Sequence, residues 1–136
     1  MKDETKRWLD YADENLQSAK ILLESDLYNP TLQNVQQAVE KMIKSLCTEF
    51  DLKFRKTHSI NELANILTRN NLEVGLGSDE CDLLDSIYLP SKYPLAGVLP
   101  YFEPDAKICK KCVTIAENLR RTVDKILQKR QDRNEK

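Results

Sequence analysis

Apolar residues recur at intervals of three and four along three long stretches of the chain. This helical period constrains the fold more than anything else in the sequence. From about Lys2 to Ser25 the stripe is Trp8, Ala12, Leu16, Ala19, Leu22 and Leu23. Asn15 falls within it and needs a hydrogen-bond partner wherever that face is buried. Ile21 points away from it, toward a second contact surface. From Pro30 to about Phe50 the stripe is Leu32, Val35, Val39, Ile43, Leu46 and Phe50. Asn29 is expected at the N-cap of this helix and Pro30 at its first position, where a missing N–H costs nothing. Residues 29–39 carry no charge. That fits a helix covered on more than one side, either central in a bundle or part of a dimer interface. Gln36 lies close to the core stripe, while Gln33, Gln37, Lys41 and Lys44 fall opposite. Glu40 and Lys44 stand one turn apart, a pairing worth roughly a few tenths of a kcal/mol on a helix surface.

Asp51 to His58 reads as a basic connection. Ser59-Ile60-Asn61-Glu62 fits a capping box, in which the Ser hydroxyl accepts from the Glu62 N–H and the Glu carboxylate reaches back. The third helix then carries Ile60, Leu63, Ala64 and Leu67 and ends near Asn70-Asn71. Gly75 and Gly77 mark a loop. Ser78 is expected to cap a short fourth helix, whose apolar face is Leu83, Leu84, Ile87 and Tyr88. Asp79, Glu80 and Asp82 suit its positive N-terminal end. Pro90, Pro94, Pro100 and Pro104 confine residues 90–104 to an extended loop, which also holds Tyr93, Tyr101 and Phe102. Long loops of this kind often carry function. The last helix spans about Asp105 to Gln131. Its stripe is Ile108, Cys112, Ile115, Leu119, Val123 and Ile126, widened by Cys109, Ala116 and Leu127, and residues 132–136 are expected to fray. No segment reads as a strand. The expected fold is all-α: one domain over residues 1–136, an antiparallel up-and-down bundle of four main helices plus one short helix.

Composition narrows the function. No apolar run is long enough to span a membrane, and the opening MKDETKRWLD has no apolar signal region, so secretion is not expected. Four Cys in 136 residues make no disulfide framework. A net charge of −1 argues against holding nucleic acid through bulk charge. Charge is nevertheless sorted along the chain. Residues 73–89 carry acids and no base, residues 40–56 are rich in Lys and Arg, and the tail from Glu117 carries seven bases against four acids.

Little in the chain reads as catalysis. There is no GxSxG, Walker A loop or dinucleotide fingerprint, and one His supplies at most one imidazole base. No catalytic residue, metal ligand set or cofactor is assigned. Cys109-x-x-Cys112 lacks the second pair that a zinc site uses, and all four Cys read as small core residues. His58 sits among Arg55, Lys56, Thr57 and Ser59 just before a helix start. Such a group can hold a phosphate on helix N–H groups, or Thr57 and Ser59 can simply cap the helix. Tyr88, Lys92 and Tyr93 bracket a Pro-rich turn, which can stack on a nucleotide or pin the loop to the bundle. The candidate nucleotide- or phosphate-binding residues are Lys41, Lys44, Arg55, His58, Lys92 and Tyr93.

QQAVEKMIK (36–44), KTHSINEL (56–63) and SIYLPSKYP (86–94) together resemble the three sequence blocks of HEPN domains, the higher-eukaryote and prokaryote nucleotide-binding family. Trp8, Ala12 and the Leu22-Leu23 pair fit the opening of that family. The resemblance implies an up-and-down bundle of four or five helices, a homodimer, and a bacterial or archaeal cytoplasmic protein. It implies a minimal nucleotidyltransferase as partner, in some cases as a toxin–antitoxin pair. It also brings in metal-independent ribonucleases, which use an Arg and a His four to six residues apart near the start of the last long helix. Here residues 105–136 hold no His, so Arg120 and Arg121 lack that partner, and Lys92 stands where an Arg is common. Lys keeps the charge without the planar fork. The expectation is a non-catalytic domain that binds a nucleotidyltransferase and a nucleotide or RNA phosphate. The alternatives are a ribonuclease built on Arg55 and His58, or a structural homodimer or adaptor using Asn29 to Val39.

Overall fold

The structure, a computed structural model, describes residues 1–92 and 103–134, with side chains left out at 88–92. Every element among them is a helix: α1 (Asp3–Glu24), α2 (Tyr28–Glu49), α3 (Ile60–Arg69), α4 (Ser78–Lys92) and α5 (Ala106–Asn134). They form the expected up-and-down bundle. α2 is its axis and packs against α1, α3, α4 and α5. Thr31, Leu32, Val35, Gln36, Ala38 and Val39 are buried within the chain's own bundle, which explains the uncharged run at 29–39. Six consecutive residues, Met42 to Cys47, are also buried, so α2 has no solvent face there.

The short helix is α3, with 10 residues, rather than α4, which has 15 and continues past Pro90 to Lys92. Residues 90–92 are thus helical rather than loop. The remainder of the Pro-rich stretch, 93–102, lies outside the described residues. α5 runs on to Asn134, so the fraying expected at 132–134 is absent. Its buried stripe centres on Cys112, Ala116, Leu119 and Val123, with Ile108 and Ile126 half-buried at the margins.

Helix ends follow local chemistry. α2 begins at Tyr28, one residue before the expected Asn29 cap, because Leu27 O accepts both the N–H and the hydroxyl of Thr31. Pro30 therefore occupies the third helical position, where an N–H still lacks a partner in the ladder. α4 takes Gly77 rather than Ser78 as its cap: Cys81 N–H donates to Gly77 O, and Glu80 accepts from Gly77 N–H. α1, α2 and α3 close alike. Asp26, Asp51 and Asn71 each adopt the left-handed conformation, at φ of 58°, 57° and 61°. The next residue, Leu27, Leu52 or Leu72, donates its N–H back to Leu22, Cys47 or Leu67. This is the Schellman closure, with Asp or Asn where Gly is usual.

Glu49, buried at the end of α2, fastens this end of the bundle. It accepts from the Lys2 N–H at 3.0 Å and the Thr5 hydroxyl at 2.9 Å, and it faces Arg130 of α5 at 3.4 Å. Lys2 also pairs with Asp51.

Candidate functional site

The candidate residues divide into three groups, and α2 carries the centre. Glu40 and Lys44 lie one helical turn apart and are both buried, so their pairing is not the surface contact that their spacing suggests. Trp8 of α1 and Phe54 of the α2–α3 connection cover them, with the Lys44 ammonium 5.6 and 5.8 Å from the two ring centroids. A cation between aromatic faces gains from the ring quadrupoles, but a buried ammonium needs a carboxylate. Glu40 Oε2 supplies it at 3.2 Å. The other oxygen, Oε1, meets His58 Nδ1 at 2.8 Å. Lys44 and His58 are thus joined through one buried carboxylate, a link that spacing alone did not reveal.

His58 is half exposed on its outer side, and its backbone is held as well. Gln36 Nε2 donates to His58 O at 3.0 Å, and Gln37 Nε2 donates to Gln36 Oε1. A carboxylate facing Nδ1 makes that nitrogen the donor and fixes the ring's orientation. The arrangement can position an imidazole. Lys41 belongs to a second group. Its ammonium donates to Asn15 Oδ1 at 2.6 Å and lies 5.7 Å from the Tyr11 ring centroid. Asn15 Nδ2 donates in turn to Asn34, so the polar residue in the α1 stripe has the partner its burial demands.

Arg55 forms the third group and is largely exposed. Its Nε meets Glu62 Oε1 at 2.7 Å, and Thr57 donates to the other oxygen. The Arg55 hydrogen bond holds the Glu62 carboxyl below its usual range, and Glu62 raises the guanidinium. The Glu62 carboxylate therefore does not reach back to complete a capping box, although Ser59 Oγ does accept from the Glu62 N–H at 3.1 Å. The remaining amides at the start of α3 go to Asp85 of α4. Its carboxylate accepts from Ile60 N–H at 2.6 Å, Asn61 N–H at 3.1 Å and the Ser59 hydroxyl at 3.2 Å. The place where a phosphate was expected to meet helix N–H groups already holds a carboxylate. The side chain of Lys92, and Tyr93 with it, lie outside the described residues.

Burial pushes the Cys47 and Cys109 thiols up to about 11 and Cys112 to about 12. Cys81 is raised by burial and then by Asp85, Asp82 and Glu80. All four are free and buried, as core residues should be. Among the described residues no three His, Cys, Asp or Glu side chains gather as metal ligands. No helix among them is long and apolar enough to cross a membrane.

The HEPN domain model matches residues 5–126 of this chain. The crystal structure of a protein from Thermus thermophilus superimposes with a TM-score of 0.72 at 23% sequence identity, covering 91% of this chain and 98% of that one. That of an archaeal HEPN homologue gives a TM-score of 0.66 at 25% identity, covering 91% and 97%. None of the curated proteins matches the chain.

Proposed function

The chain belongs to the HEPN domain family, and from that premise we propose that it acts by binding rather than by catalysis, with a minimal nucleotidyltransferase as its partner in a toxin–antitoxin type of pair. The observation that carries this reading is the placement of the single His. It stands in the α2–α3 connection with Nδ1 on Glu40, while α5 holds arginines and no His. Arg120 of α5 is engaged by Asp13 and Asp124, and Arg121 by Asn118. A nucleotide or RNA phosphate is a secondary ligand in this reading. Among the described candidates its contacts would come from Lys41 and His58, because Lys44 is buried against Glu40 and Arg55 is paired with Glu62, and Lys92 and Tyr93 stay in the candidate set.

Co-expression with a minimal nucleotidyltransferase from the same genome, followed by size-exclusion chromatography with light scattering, tests the proposal. The two proteins are expected to migrate together in a fixed ratio. Separate elution removes the partnership. Cleavage of single-stranded RNA in the presence of a chelator, abolished in His58→Ala, would replace it with the ribonuclease reading.

A further inference from the structure

A cavity of about 250 Å³ opens where the end of α2, the turn after α3 and the last turns of α5 meet. Phe50 and Leu72 form its apolar wall, and Lys129, Arg130 and Arg133 line it from α5, with Glu73 as the one carboxylate. We propose that this cavity is an anion site that takes a phosphate group. It uses none of the residues of the proposed function, so either can fail without the other.

Three observations carry the assignment. Positions 129, 130 and 133 bring three cations to one concavity, against Glu73 in the lining and Glu49 behind Arg130. The surplus is positive, and a concave site with an apolar wall concentrates that field. Second, two of these three cations are not consumed internally. Lys20, Lys44, Arg55 and Arg120 each reach a carboxylate within 3.2 Å. Among the described residues, the Lys129 and Arg133 side chains form no ion pair or hydrogen bond. Third, Arg130 is held in place. Its guanidinium carbon lies 4.4 Å from the Phe50 ring centroid. Its buried Nε faces Glu49 Oε2 at 3.4 Å, an ion pair longer than a good hydrogen bond.

Bases in the final turns of a helix also complement its dipole. That explains a Lys or Arg near Asn134, but not a cavity with Arg130 seated on an aromatic ring. A phosphate suits this donor set, since guanidinium groups form paired N–H···O bonds to it and Lys adds a point charge.

The test is an amide-shift NMR titration of the full chain at low salt with inorganic phosphate and, separately, adenosine monophosphate. Saturable shifts are expected at Phe50, Lys129, Arg130 and Arg133, with half-saturation below about 1 mM. Lys129→Gln with Arg133→Gln should weaken binding at least about tenfold, as should salt above about 0.5 M. Both residues are exposed, so the variant should keep its helical circular dichroism, and Arg130 is left to hold Glu49 and Phe50. Equal affinity for both probes means that the phosphate group alone is recognised. Tighter binding of the nucleotide means that its nucleoside part reaches the apolar wall. Shifts that fail to saturate, or that are unchanged in the double variant, overturn the site and leave the three bases serving only the helix end.

Discussion

Glu40→Gln leaves the Lys44 ammonium buried between Trp8 and Phe54 with no carboxylate beside it. Removing one partner of a buried pair costs about 3–5 kcal/mol, and urea unfolding of this variant should show a loss of that size. Adding Lys44→Met removes the stranded charge. The double variant should therefore be more stable than Glu40→Gln alone, and a double variant less stable than the single would mean that the Trp8 and Phe54 rings hold the ammonium without the carboxylate. The spacing of Glu40 and Lys44 is plain in the sequence, but their burial is not. Trp8 and Phe54 arrive from α1 and from an irregular connection, and no local pattern announces them. Asp85 is a harder case. In the sequence it is one more acid of the base-free stretch 73–89, yet it caps α3, and only the packing of α4 on α3 makes that pairing.

At the scale of elements, the three Schellman closures give a clean test at Asn71, which is exposed and left-handed with its side chain outside the hydrogen bonds that close α3. Gly adopts that conformation without a Cβ clash, so Asn71→Gly should stabilise the protein by about 0.5 kcal/mol. Asn71→Val should cost about 1–2 kcal/mol, since a β-branched residue pays the left-handed penalty in full. Thermal unfolding in the order Gly, Asn, Val checks both, and the reverse order would deny that the turn controls stability. Helix spans were legible because burial imposes a period of 3.6, while helix ends were legible only in part: Ser59 caps α3, which ends at Arg69 beside Asn70-Asn71 as its sequence suggests. Asn29-Pro30 and Ser78 carry strong starting signals, yet α2 and α4 start by other means. Proline at 90 reads as a boundary, but α4 continues through it to Lys92, forgoing the one ladder bond that a residue without an N–H cannot make.

Taken whole, the molecule hides all four thiols in one core and raises each of them. A thiol reagent at pH 8 should therefore label the native protein only as fast as the bundle opens, with the four sites reacting together. Labelling at the rate of an unfolded control would mean that the core is not closed. The bundle was legible from periodicity because helix-on-helix packing leaves that signature in sequence. The candidate site was only half legible, since convergence of Glu40, Lys44 and His58 depends on how a connection folds back over α2. The unbroken burial of Met42 to Cys47 carries one more consequence. Saturation mutagenesis of α1 or α5 should trace a beat, with tolerant positions returning every three or four residues. Across 42–47 the beat should vanish into a continuous intolerant block. Natural drift should then be slowest along this strip, and sequence variation among relatives checks it: variation at 42–47 as wide as on the exposed faces of α1 and α5 would deny it.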